Sequence, residues 1–470
     1  MIRNIIFSLF LVLPVSVAVA STVSLIEQRQ QFLLAEKLIQ KGEDSLFLNK
    51  LETLKDYTLY PYLQYQWLKN NLDQEKKIKI FLRYYKDTRY AGLLKYKWQY
   101  YLAKNKKWKE FVKQYVHSSD KKLQCYYYRA MYNTGAKKGA LIGAKKLWVL
   151  GKSQPDECDL IFKVLKTSVY FTRELLWQRF EAAITKGSVR VAEYVKGLMN
   201  KKDRGVATFW LKVHANPSLI TNQTLFRQQQ AQAGLIFAHG VDRLASKSLA
   251  KAIRVWDAGK RDFIINAATV QRIEQRLAMS LAYRRDEMAY SRLSNLTKPD
   301  EVTKEWRVRT ALRERNWGRV EQSIAALNKE TKEKEKWRYW QARAAEQNNR
   351  PKMSNFIYAK LSKERSYFGY LAAEKLNKGY QLSDNPVVVP PEAYKRLKNK
   401  ADFRVVAELI AVDKEKEAKR QWWYVIKKSD KKSILAAAKY AQELDWKQVA
   451  IYTLAKAKYW DDVGVRFPLA

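Results

Sequence analysis

The chain has 470 residues, with 89 Lys and Arg against 47 Asp and Glu for a net charge of +42, yet 47% of its residues are hydrophobic. That much apolar surface offsets the entropy of ordering a chain, so the polypeptide is globular and not a disordered polycation. Glycine and proline number 16 and 10, about 6% of the chain where roughly 12% is usual, which leaves too few turn-formers for a sandwich, barrel or propeller. Three histidines (His117, His214, His239) and two widely separated cysteines cannot assemble a multi-ligand zinc site, so no metal is expected.

At the N-terminus, Arg3 supplies a positive charge, Ile5 to Val17 is almost wholly apolar, and Ala18-Val19-Ala20 is a small-x-small cleavage pattern. Residues 1–20 are therefore expected to be a removed secretory signal cut after Ala20. The apolar run is shorter than the ~20 residues a spanning helix needs, and no second apolar stretch of that length follows, so no stable membrane span is expected. Export removes nucleic acid as the natural partner of so basic a chain, and the cations are spread along the whole sequence instead of gathered in one arm. A solvated basic surface, or attraction to an anionic polymer or membrane face, takes its place. In an oxidising compartment an even pair of cysteines makes a disulfide the default.

From residue 24 onward the pattern is amphipathic helix. Around 270–284, Val270, Ile273, Leu277 and Leu281 recur at helical steps while Glu274, Gln275, Arg276 and Arg284 take the other face. Similar stripes run through 24–46, 204–214, 244–256 and 434–444. Polar breaks fall at Lys41-Gly-Glu-Asp, Asn70-Asn71, Asn133-Thr-Gly, Asn200-Lys-Lys-Asp and Asn348-Asn349. A loose repeat marks several restarts: Trp108-x-x-Phe111, Trp317-x-x-Val320, Trp446-x-x-Val449 and Trp460-x-x-Val463. Short helix pairs cannot bury a core alone and must stack on their neighbours, so the expected fold is all-α, a tetratricopeptide-like superhelix of helix pairs. Three prolines between 386 and 391 forbid helix in the linker 383–391, and a small helical domain is expected from 392 to 470.

Little chemistry is visible in isolation. Glycosidic cleavage needs a carboxyl acid of raised pKa, often with a second carboxylate, and composition does not choose one among 47 acidic residues. No Gly-x-Ser-x-Gly, Walker-type loop or Gly-x-Gly-x-x-Gly occurs, so no nucleophile motif, cofactor or nucleotide site is expected. The histidines read as surface or core residues, and most of the 15 Trp, 29 Tyr and 17 Phe as packing between helices.

Several segments carry a more specific signal. Cys125-Tyr-Tyr-Tyr128, Asn133-Thr-Gly135, Ala144-Lys-Lys-Leu-Trp148, Gly151-Lys-Ser-Gln-Pro155 and Cys158-Asp159 together resemble the N-terminal superhelical region of the soluble lytic murein transglycosylase family. Lys55-Asp-Tyr-Thr-Leu-Tyr-Pro-Tyr-Leu63, Glu335-Lys-Trp-Arg-Tyr-Trp-Gln341 and Arg466-Phe-Pro-Leu-Ala470 agree in the family's order. The resemblance implies a U-shaped superhelical U domain over 21–382, closed into a ring by a small helical linker (L) domain over 392–470, with a lysozyme-like catalytic domain seated on that ring. It implies that Cys125 and Cys158 pair. The implied activity is cleavage of the MurNAc-β-1,4-GlcNAc bond of peptidoglycan with a 1,6-anhydro product, in the periplasm, with glycan strands as partner.

One departure shapes the expected function. The family's acid is a glutamate followed by serine, with Gly-Leu-Met-Gln downstream. No Glu-Ser dipeptide occurs in these 470 residues, and Gly197-Leu198-Met199 is followed by Asn200 and reads as coincidence. No catalytic residue carries over, so the catalytic domain is expected to be absent and the chain inactive alone. The alternative is a stand-alone peptidoglycan-binding or scaffold module serving a separate catalytic partner.

Overall fold

The computed structural model describes residues 24–222, 232–382 and 384–468; the leader with its cut after Ala20 lies outside them. Among the described residues there are 28 α-helices and no strand, so the all-α expectation holds.

The helices begin and end for local reasons that recur along the chain. At their starts, Asp120 accepts from the N–H groups of Lys122 and Leu123, Asn266 from Thr269, Asn316 from Arg319 and Asp430 from Ser433, satisfying donors a helix start leaves open. At their ends, a single left-handed residue turns the chain. Lys106, at φ 56°, is one such residue. Its N–H donates to the Ala103 carbonyl at 3.1 Å while that of Lys107 reaches back to Leu102 at 2.9 Å. The same pair of bonds closes the turns at Arg315 and Asp445. Among the described residues, eight such positive-φ residues are not glycine and three are, Gly42, Gly135 and Gly187, so a helix-turn-helix chain is built with few glycines by accepting local strain.

The tryptophan repeat falls on these turns. Trp108 and Trp317 open helices Trp108–Gln114 and Trp317–Ala325, and Trp446 caps helix Lys447–Lys456, each with its apolar partner Phe111, Val320 or Val449 buried. Trp460 departs from the pattern: Asp462 caps the next helix, Val463–Arg466, so Trp460 precedes it and stays exposed under the Arg466 guanidinium, 4.3 Å away. The stripe at 244–256 is also not one helix. Ser248, at φ −148° and ψ 97°, leaves the helical region and separates Ala233–Lys247 from Leu249–Gly259. In the linker, residues 384–390 are non-helical, but Pro391 opens helix Pro391–Asn399, since the first helical position needs no N–H donor.

The chain divides into two compact units. One joins the described residues up to Tyr101 with Val387–Ala457, bringing distant stretches of sequence together. Glu408, buried on helix Ala401–Ala411, accepts from Arg29 Nε and Nη2 at 3.0 and 2.8 Å and from the Tyr57 hydroxyl at 2.9 Å. Lys414 pairs with Glu36 at 2.7 Å, Arg89 pairs with Glu417, and the Tyr424 hydroxyl donates to the Asp87 carbonyl at 2.7 Å. The other unit, Leu102–Pro386 with Lys458 onward, has a core that follows chain order. One cluster spans residues 125–175, a second 176–296, a third 290–344 and a fourth 339–372. Phe171 packs against the first and second and Trp340 against the third and fourth, the neighbour-to-neighbour burial of a repeat array.

Candidate functional site

The most constrained region of the second unit surrounds the two cysteines. Cys125 lies on helix Lys121–Asn133, Cys158 ends the 3-10 turn Asp156–Cys158, and a disulfide joins them with Cα atoms 4.8 Å apart. Both are fully buried among Leu141, Ala144, Trp148, Ile161 and Leu165. Between them, the segment after Trp148 passes very close to helix Arg173–Thr185. A Cβ on Gly151 would lie 2.0 Å from the Ala182 carbonyl oxygen, so only glycine permits this approach.

That approach shapes a cleft of about 800 Å³ whose lining includes Trp148, Gln154, Phe162, Arg179 and Tyr194. Arg179 is 5% exposed. Its guanidinium carbon lies 3.9 Å from the centre of the Trp148 ring, and Nη1 donates to the Trp148 carbonyl. No carboxylate of the described residues pairs with it, and its Nε meets no acceptor. Burial pushes the group down to about 10, so it remains cationic at neutral pH. Lys163, Lys166 and Arg190 are exposed around the same cleft, where Asp159 is the one acidic residue. Lys166 Nζ donates to the Tyr194 hydroxyl at 3.2 Å.

The described carboxylates do not converge on a catalytic pair. Burial works to raise Glu274, Glu305, Glu346 and Glu417, but hydrogen bonds and charges from neighbouring Lys and Arg outweigh it and hold each below the usual range. Glu181 is raised, by burial that Arg272 only partly offsets, yet it does not line the cleft. Two of the three histidines meet: His214 Nδ1 and His239 Nε2 are 2.9 Å apart with the rings stacked, while His117 is exposed elsewhere. Burial, then the charges of His214, Arg243 and Arg272, push His239 down to about 3, which makes it a neutral core residue. Gly197-Leu198-Met199 is the end of helix Val189–Gly197, with Met199 in the core.

Sequence reasoning singled out the cysteines and the segment 144–159 but missed Arg179. Its signal was present: Leu175, Leu176, Phe180, Ala183 and Ile184 form the buried stripe of helix Arg173–Thr185, and Arg179 falls on it.

Comparison with known proteins fits this architecture. Residues 396–463 match the soluble lytic murein transglycosylase L domain. The soluble lytic murein transglycosylase of Escherichia coli K12 is 27% identical over 472 residues, covering 96% of this chain and 71% of the relative. That of Salmonella typhimurium LT2 is 26% identical over 473 residues, covering 95% and 70%. Among solved structures, an inactive mutant of the lytic transglycosylase Slt from Pseudomonas aeruginosa superposes with a TM-score of 0.83 at 28% identity, over 94% of this chain and 73% of that one. Among the described residues no helix is long and apolar enough to cross a membrane. In its helical fold, its L-domain match and its sequence along nearly its whole length, the chain is similar to the soluble lytic murein transglycosylases.

Proposed function

We propose that this chain is the peptidoglycan-engaging, non-catalytic part of a periplasmic lytic transglycosylase system. The observation that carries it is the 0.83 TM-score over 94% of the chain to a lytic transglycosylase. The domain assignment follows: a signal over 1–20, the U domain over 21–382, a linker over 383–391 and the L domain over 392–470, the last supported by the family match at 396–463. The 470 residues contain no Glu-Ser dipeptide, and the one carboxylate raised in pKa among the described residues, Glu181, stands without a partner acid. The purified 470-residue chain should therefore release no anhydro-muropeptides from sacculi. Release above blank that disappears on replacing one internal glutamate refutes this.

Binding is the activity left to such a chain, favoured by its +42 charge and by the carboxylates on peptidoglycan peptides. Co-sedimentation with purified sacculi should weaken as salt rises, because exposed charges are screened over about 10 Å at 0.1 M. Binding indifferent to salt points instead to aromatic or apolar contact. As a scaffold, the chain presents glycan strands to a separately supplied catalytic domain, and adding it to one should change the rate of sacculus digestion.

A further inference from the structure

We infer that the cleft floored by Arg179 binds the terminal carboxylate of a short peptide, a site within the second unit that deepens, and rests on, the peptidoglycan assignment. Three of its lining residues each hold a buried polar atom without a partner among the described residues: Arg179 Nε, Trp148 Nε1 and Gln154 Oε1. Native folds rarely leave such atoms unmet, and three in one cleft ask for a ligand that brings both acceptors and a donor.

The chemistry of the set narrows that ligand. Arg179 is a buried cation without a counterion, and a planar guanidinium stacked on an indole is pre-oriented for a two-oxygen anion. A carboxylate supplies the acceptors. Gln154 Oε1 asks for a hydrogen-bond donor, and the amide N–H next to a peptide's terminal carboxylate is such a donor. Phe162 and Tyr194 offer aromatic surface for a small side chain, while Lys163 and Arg190, exposed and without ion-pair partners among the described residues, draw an anion toward the opening. Gly151 and the Cys125–Cys158 disulfide hold the walls in place.

The test is titration of the full chain with N-acetyl-D-alanyl-D-alanine at low salt, followed by calorimetry and tryptophan fluorescence. The C-terminal amide of the same peptide and inorganic phosphate serve as comparisons. Saturable binding of the acid is expected, weaker by about ten-fold or more for the amide and for Arg179→Met, as loss of a charged hydrogen-bonded contact implies. Since Arg179→Met removes a buried side chain, the exposed double variant Lys163→Gln/Arg190→Gln provides the second reading and should weaken binding in a salt-dependent way. Equal binding of acid and amide, no binding of the acid, or no response to the rim variant overturns the proposal. Displacement by phosphate at matching concentration does so too, leaving a simple oxyanion pocket. Sacculus sedimentation separates the two levels. If wild type sediments but binds no peptide, this site fails and the peptidoglycan assignment stands; if it binds peptide but not sacculi, the site stands and that assignment fails.

Discussion

Replacing Glu408 by alanine removes the acceptor of three hydrogen bonds at the place where residues 24–101 meet 387–457 within the first unit. Tyr57 is 2% exposed, so its hydroxyl is left buried without an acceptor, a cost of about 1–3 kcal/mol. The lost charged contact to Arg29 adds only about 1 kcal/mol, because that side chain is 32% exposed and can rehydrate. The sum, about 2–4 kcal/mol, lowers the melting temperature of a unit of roughly 150 residues by roughly 5–15 °C. Circular dichroism melts at neutral pH and urea titrations read it directly. Glu408→Gln keeps an acceptor for Tyr57 and should recover part of the loss. A double-mutant cycle with Arg29→Met should show a coupling above about 0.5 kcal/mol. The pH dependence has a defined sign. Burial works to raise the Glu408 carboxyl, but the hydrogen bonds from Arg29 and Tyr57 outweigh it and hold it below the usual range. Its stabilisation is thus complete above the ordinary glutamate pKa, about 4.3, and is lost as pH falls through the depressed folded value. An alanine variant that melts within about 1 °C of wild type, or strict additivity with Arg29→Met, refutes the assignment of this contact as a clamp.

Three further outcomes follow from other parts of the molecule. Cys125→Ser/Cys158→Ser opens a link between residues 33 apart and should cost about 4 kcal/mol, read as an equal loss when wild type is melted in reductant; an unchanged midpoint contradicts it. Arg315→Gly, at an exposed turn with φ 53°, relieves left-handed strain and should raise stability by about 0.5–1 kcal/mol in urea, so a loss of stability counts against the strained-turn account. His239 is neutral in the fold and held near 3 by burial, while the unfolded imidazole takes a proton near its ordinary value of 6.5. Stability should therefore fall as pH drops from that value toward the folded one, by up to about 1.4 kcal/mol per pH unit. His239→Gln should flatten this limb, and an unaltered pH profile in that variant rules the histidine out as its source.

How far the sequence reached can be judged residue by residue. Helical periodicity at Ile273, Leu277 and Leu281 marked a buried face that the structure keeps, and the polar break at Asn200 is the start of helix Lys201–Ala215, where the Asn200 side chain accepts from the Asp203 N–H. These are local signals, decided by neighbours within one or two turns. The break at Ser248 was less visible, because serine is compatible with a helix and leaves one only where the following residues pack elsewhere. Glu274 illustrates a wider limit. Its outer-face position was correct by period, yet it accepts from Trp256 Nε1 and pairs with Lys260 and Arg292, residues brought to it from neighbouring helices.

What the sequence determined by itself was therefore the all-α class, several of the polar breaks between helices, and the resemblance carried by the segment from Cys125 to Asp159. Each depends on patterns of short range. Tertiary structure alone decided that Glu408 meets Arg29 and Tyr57 across more than 350 residues of chain, and that Arg179 comes to lie over Trp148 without a carboxylate beside it. Period and composition say which side chains are buried. Which of them meet, and which charge is left without a partner, follows only from how closely the helices approach, as Gly151 against Ala182 shows.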